Sequence, residues 1–161
     1  KHLQSAILKA LLQNHPYEEV AYEIYSLENN HQHIGMGMIG ELSEAMSETN
    51  FLALLQERMQ AKGIRYSALR GKPIKKVAVL GGSGAFAIEN AKRAGADIFV
   101  SADFKYHDFF KAEGQILLAD IGHYESEQYI KLLLFEFLSK KIPTFAVSIS
   151  KVDTNPIKYY S

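Results

Sequence analysis

The chain has no cysteine, no tryptophan, only 4 prolines in 161 residues and no excess of either charge, with 18 basic against 18 acidic side chains. Each shortage excludes something. Without cysteine there is no disulfide, no zinc–thiolate site, no iron–sulfur cluster and no thiol nucleophile, and the chain suits a reducing compartment. Split at Lys72, the two parts carry 7 basic against 8 acidic residues and 11 against 10. Neither offers the basic face that phosphate neutralisation needs, so no nucleic acid partner is expected. No apolar run approaches the roughly 20 residues of a membrane span, and no basic leader precedes an apolar stretch. A cytoplasmic protein without a membrane partner is therefore expected. Solenoid-period repeats and low-complexity tracts are absent too. What is present is a 47% hydrophobic chain, of a size that buries roughly 70% of the surface its unfolded form exposes. It opens Lys1-His2-Leu3, without an initiator methionine and already at helical spacing, which reads as a fragment.

Leu3, Ile7, Leu8, Leu11 and Leu12 recur at helical spacing, and Asn14-His15-Pro16 ends that helix. Over Val20–Leu27 the period changes to alternation, the pattern of a strand with one face buried. The polar run from Glu28 to His33 is the candidate boundary between residues 1–30 and 31–161. Beyond it, Ile34–Leu42 reads as a strand with bends or close approaches at Gly35, Gly37 and Gly40. Ser47 or Thr49 caps a helix running to about Ala61, Gly63 ends it, and a strand over Ile64–Leu69 leads to the turn Arg70-Gly71-Lys72-Pro73.

From there strands and helices alternate. Strands are predicted over Lys76–Leu80, Asp97–Ser101, Ile116–Ala119 and Thr144–Ile149, with helices over Gly84–Ala94, Phe104–Ala112 and Glu125–Lys140. Short connections and continuous apolar strands predict an α/β fold, a mostly parallel sheet sandwiched by helices. The last helix is apolar almost all round, so it is expected to be deeply packed or in an interface.

Ligands of such sheets bind beyond the carboxyl ends of the strands. Three loops lie there. The turn Gly81-Gly82-Ser83-Gly84, continued by Ala85-Phe86-Ala87, satisfies the dinucleotide pattern G-x-G-x-x-A, with Asp103 about 20 residues on. The same glycines suit a tight strand-to-helix turn for steric reasons alone. In the second and third loops, Asp103 with His107 and His123 with Glu127 are each four residues apart, one helical turn, so each pair aims a carboxylate and an imidazole the same way. That is the ligand set of zinc, manganese and iron. Singly, each pair also fits an N-cap or a solvated helix face; their convergence on one sheet edge points to metal. The positive end of a helix disfavours a cation, so several carboxylates are needed, and Asp103, Asp120 and Glu127 answer that requirement.

Asp120-Ile121-Gly122-His123-Tyr124-Glu125-Ser126-Glu127, preceded by Ala96 to Asp108 and by the Gly81–Gly84 turn, strongly resembles the carboxyl half of the Nif-three-like family. Its members are toroidal hexamers with a dinuclear metal centre, often described as type 2 homologues of GTP cyclohydrolase I. The run His15 to Tyr25 is similar to the closing segment of the ferredoxin-like domain, of PII and CutA type, that some bacterial members insert in mid-sequence. Residues 1–30 are thus expected to end such an insert, and 31–161 to form the carboxyl half of the metal-binding domain.

The resemblance implies that His123 and Glu127 are metal ligands, with Glu127 able to bridge two divalent ions of zinc, iron or manganese. It implies that Asp103, His107 and Asp120 sit beside the metals or face the substrate. The family's other ligands, a histidine pair and an aspartate from its amino half, have no counterpart here, and His31-Gln32-His33 does not replace them. The expectation is a metal-dependent hydrolase whose metal site is half present, inactive as this stretch alone and forming a homo-hexamer when complete. The alternative is a regulatory or binding protein that holds a small, nucleotide-like ligand at the metals or at the Gly81–Gly84 turn without catalysis.

Overall fold

The computed structural model describes residues 3–25 and 35–160, and the chain divides into two compact units, Lys1–Ile34 and Gly35–Ser161. In the first unit, helix α1 spans Gln4–Asn14. It stops where predicted: the Asn14 side-chain amide donates to the Ala10 carbonyl at 2.8 Å, and the Tyr17 amide donates to His15 Nδ1 at 3.1 Å. The strand expected over Val20–Leu27 does not form in residues 20–25. A strand needs a neighbour for its backbone groups, and the described part of this unit contains only a helix. Residues 26 and 27, the polar run to His33 and the histidines within it lie outside the described residues.

The second unit is built on a five-stranded sheet. Strand β1 is Met38–Met46, helix α2 is Glu48–Met59, and strands β2 (Arg65–Tyr66) and β3 (Ile74–Ser83) follow. A 3-10 turn at Ala85–Ala87 leads into helix α3 (Ile88–Arg93), then strand β4 (Ile98–Ala102), a 3-10 helix over Tyr106–Ala112 and strand β5 (Leu117–Asp120). Helices α4 (His123–Glu127) and α5 (Ile130–Lys141) complete the elements. The strand order is β1-β3-β4-β5-β2; the central three are parallel, and both edge strands run antiparallel. The mostly parallel α/β sheet is therefore as expected.

Alternation along the central strands gives the sheet two apolar faces. Ile98, Val100, Leu117 and Ala119 meet Phe51 and the apolar side of α2, whereas Phe99 and Leu118 join Ile88, Ala91, Phe104 and Ile116 on the other side. Ser47 caps α2 by accepting from the Asn50 amide at 3.2 Å. The helix stops at Met59, four residues before Gly63, because Gln60 takes the left-handed conformation at φ 53°. Gly37 approaches β3 so closely that a Cβ would strike the Val79 carbonyl oxygen.

Several elements differ from expectation. The helix predicted over Gly84–Ala94 begins as a 3-10 turn, and the one over Phe104–Ala112 is 3-10 throughout, entered by the Lys105 amide donating to Asp108 Oδ2 at 2.9 Å. The helix predicted over Glu125–Lys140 is two helices separated at Gln128 and Tyr129. No strand forms over Thr144–Ile149. The outer edge of β5, where a fourth parallel strand would dock, is taken by β2, with Arg65 opposite Asp120 and Tyr66 opposite Ala119. Of the two expectations for the last helix, deep packing is not met within the chain: no residue of α5 is buried, and Leu133 and Phe137 are largely exposed. Among the described residues no helix is long and apolar enough to cross a membrane.

Phe99, 2% exposed, fills the space between β4 and Phe104, with ring centroids 5.9 Å apart. Phe99→Ala is expected to cost about 3–5 kcal/mol of stability, read as a lowered urea midpoint at unchanged slope.

Candidate metal centre

The carboxyl ends of β3, β4 and β5 present three loops to one edge of the sheet. After β5, Gly122 adopts φ +94° and α4 begins at His123. Within α4, His123 and Glu127 are one turn apart and face each other, Nε2 to Oε2 at 3.2 Å. The other ring nitrogen, Nδ1, lies 2.6 Å from Asp103 Oδ2. Asp103 follows β4 with φ +58°, a left-handed conformation that aspartate tolerates better than most residues but that still costs energy. The sequence spacing therefore places His123 and Glu127 correctly on one helix face. It misplaces Asp103, which precedes its helix and reaches the site through the backbone bend.

Both glycine turns exist to let side chains come close. A Cβ on Gly82, itself at φ +69°, would collide with Glu127 Oε1 and come within 3.4 Å of His123 Cε1; one on Gly122 would collide with the Glu125 carboxylate. The Gly82 amide donates to Ser126 Oγ at 2.8 Å, and Ser126 Oγ donates to the His123 carbonyl at 2.8 Å. A Cβ on Gly81 would meet the Glu127 side chain and the Ser126 carbonyl only at ordinary contact distance, 3.6 Å. At Gly84 a Cβ would strike Ser101, and the Gly84 amide donates to the Ala102 carbonyl at 3.3 Å. The amides of Gly82 and Gly84 are thus engaged inside the fold. The Gly81-Gly82-Ser83-Gly84 turn holds α4 against the sheet through Gly82 and Ser126.

Asp120, at the end of β5, is 4% exposed and ties the loops together. Its Oδ2 accepts from the Phe104 amide at 2.9 Å and from the Arg65 guanidinium, and its Oδ1 accepts from the Gly122 amide at 3.1 Å. Asp103, Asp120, His123 and Glu127 border one cavity of about 860 Å³. His107 is not among its lining residues: its ring lies edge-on to Tyr106 and stacked on Phe110.

Sequence reasoning missed the cavity's far wall. Arg65 and the terminal segment, including Asn155, Pro156, Ile157 and Tyr159, also line it. Asn155 anchors that segment by donating from Nδ2 to the buried Glu125 at 3.2 Å. Burial raises the Tyr159 pKa, reinforced by the Glu125 and Asp120 charges. The Asn155-Pro156 dipeptide was a legible turn signal, and the Asn155 amide does close a turn on Asp153 Oδ1 at 2.9 Å; nothing in the one-dimensional pattern brings that turn to the site.

The donor set fits a divalent ion in part. An imidazole nitrogen and a carboxylate oxygen converge, Gly82 keeps the room a Cβ would fill, and a carboxylate on the remote nitrogen orients the ring as in histidine-ligated metal sites. Among the described residues, however, no group of three or more histidine, aspartate or glutamate side chains is arranged to hold an ion. His123 and Glu127 form a facing imidazole–carboxylate pair, with Asp103 behind the histidine.

The Asp103 hydrogen bond raises the His123 pKa above its ordinary value near 6.5; burial opposes this, and the Glu127 charge reinforces it. A group whose folded pKa is raised stabilises the fold below its ordinary pKa and loses that contribution as pH rises through the folded value. Chelator-treated protein should therefore lose part of its thermal stability as pH is raised from 6 to 9. The Asp103→Asn variant should lose less, and the difference in Tm between the two proteins across the pH series reads the contribution. With His123 and Asp103 both about half exposed, the effect should be small and weakened by salt.

The sequence model of the Duf34/NIF3 (NGG1p interacting factor 3) family matches residues 4–156. The chain is 36% identical over 155 residues to a Staphylococcus epidermidis protein named GTP cyclohydrolase 1 type 2 homolog, covering 94% of this chain and 42% of the relative. A Bacillus subtilis protein of the same name is 35% identical over 168 residues, covering 99% and 44%. Among solved structures, a Bacillus cereus protein related to NIF3 superposes with a TM-score of 0.74 at 34% identity, over 99% of this chain and 45% of that one. The chain spans less than half the length of the curated relatives it matches. With the family match running from α1 into the terminal wall of the cavity, the chain belongs to the Duf34/NIF3 family.

Proposed function

We propose that this chain supplies one half of a divalent-metal site in a hydrolase acting on a small, nucleotide-like molecule, and that His123 and Glu127 are its ligands. The observation that carries the reading is the Asp103–His123–Glu127 relay at the edge of a cavity large enough for such a substrate. Relatives named as GTP cyclohydrolase 1 type 2 homologs support the reaction class. The complete protein is proposed to be a cytoplasmic homo-hexamer holding two ions of zinc, iron or manganese, the remaining ligands coming from its amino half.

When bound, such ions supply Lewis acidity and a water molecule of lowered pKa. The rest falls to this chain's residues. Glu127 Oε2 and His123 Nε2 present their lone pairs to one point once His123 is deprotonated. Asp103 accepts from His123 Nδ1–H, which fixes the tautomer that leaves Nε2 as the donor atom. Asp120 keeps Asp103 and His123 in register, and the segment from Ser150 to Tyr159 walls one side of the cavity against bulk water.

Mass-spectrometric metal analysis of the full-length protein tests the reading. Wild type should carry up to two ions per chain, His123→Ala and Glu127→Gln should lose metal and turnover together, and residues 1–161 alone should bind weakly. Asp103→Asn should lower metal affinity roughly 10- to 100-fold. Because the ion competes with the His123 proton, affinity should fall as pH drops through that residue's raised pKa. Metal-free wild type, or full turnover in Glu127→Gln, would remove this mechanism.

A further inference from the structure

Arg65 stands outside the metal-type set and is held through a single nitrogen. Its Nη2 donates to the Phe104 carbonyl at 2.9 Å and to the Asp120 carboxylate. The guanidinium lies over the Phe109 ring, 5.6 Å from the centroid. These contacts spend two of the five guanidinium N–H donors and set the plane of the group. Nε and Nη1 donate to no acceptor among the described residues, and the side chain is 61% exposed where it lines the cavity. A guanidinium whose position is fixed through Nη2, with the Nε and Nη1 donors free, offers an oxyanion charge-assisted N–H contacts from a cation that is already held in place. A second cation, Lys131 on α5, borders the same space, and Ile64, Ile130, Val152, Pro156 and Ile157 give it an apolar wall.

From this arrangement we infer that Arg65 is the oxyanion anchor of the cavity. The molecule handled beside His123 and Glu127 is an organic anion whose phosphate or carboxylate group docks on Arg65, with its apolar or ring-shaped body against Ile64, Ile130 and Ile157. This rests on the reading of the cavity as a substrate site. It adds a specificity residue that belongs to no metal-binding pattern, and Asp120 becomes the hinge between the two ends of the site, since one carboxylate fixes both the anchor and the His123 loop.

Calorimetric titration of the full-length protein with phenylphosphonate, phenylacetate and benzyl alcohol tests the inference, in metal-loaded and chelator-treated forms. At least one of the two anions should bind the wild type more tightly than benzyl alcohol does, and which one binds better identifies the anionic group. Arg65→Gln and Arg65→Lys should each weaken that anion roughly 10- to 100-fold, with benzyl alcohol binding and metal content unchanged. Arg65→Lys carries the test if Arg65→Gln fails to fold, because it keeps a cation for Asp120 and loses the free Nε and Nη1 donors. Unaltered anion affinity in Arg65→Lys overturns the inference, as does a loss of affinity that only tracks a loss of metal, or absence of anion binding to the wild type. A wild type without metal defeats the preceding reading instead, and the Arg65 dependence in the chelator-treated protein still decides this one.

Discussion

The geometry of the cavity hangs on the Asp120 carboxylate. A buried carboxylate is tolerable only when its oxygens are filled by donors, and Asp120 draws these from three separate places: the Arg65 guanidinium on β2, the Phe104 amide after β4 and the Gly122 amide before α4. Phe104 adjoins Asp103, and Gly122 adjoins His123. One desolvated anion therefore sets the register of both partners in the Asp103–His123 contact, although it touches neither side chain. The same oxygens hold the edge strand β2 antiparallel against β5, which closes the sheet on that side.

Around this hub the backbone takes conformations that an ordinary chain avoids. Asp103 is left-handed, and Gly82 and Gly122 hold positive φ with side chains of α4 occupying the volume where a Cβ would stand. Backbone strain of this kind persists only where the surroundings over-determine it, and such places cluster at functional sites. Here the reward is compactness: a five-residue helix carries His123, Ser126 and Glu127 hard against the ends of the parallel strands. The charges at this edge, two carboxylates on one imidazole, are half exposed, so their net worth to folding is modest. Their arrangement matters more to what the imidazole binds than to how firmly the chain folds.

How much of this was legible depended on range. The apolar runs of Ile98–Ala102 and Leu117–Asp120 announced buried parallel strands because a strand covered on both faces has no polar side to show. The four-residue interval between His123 and Glu127 announced a shared helix face for an equally local reason. Asp103 and His107, at the same interval, did not share one, since the 3-10 helix there starts only at Tyr106 and His107 turns toward Tyr106 and Phe110. Thr144–Ile149 had strand composition but found the outer edge of β5 already taken by β2, and Val20–Tyr25 had alternation but no neighbouring strand among the described residues of its unit. Strand propensity reports fitness for a pleated surface, and pairing requires a partner that the local pattern does not contain.

The sequence by itself determined the layers: parallel strands with helices on both faces, loops at one edge, and an imidazole with a carboxylate one helical turn apart, all set by periodicity and by bonds within a few residues. Only the tertiary structure decided which groups share the cavity. Arg65 lies 55 residues from Asp120 and Asn155 lies 30 from Glu125, and Asp103 meets His123 across 20. Contacts at such separations arise when the sheet stacks its strands, and what joins the first two is the need of a buried carboxylate, Asp120 or Glu125, for donors, wherever along the chain those donors happen to be.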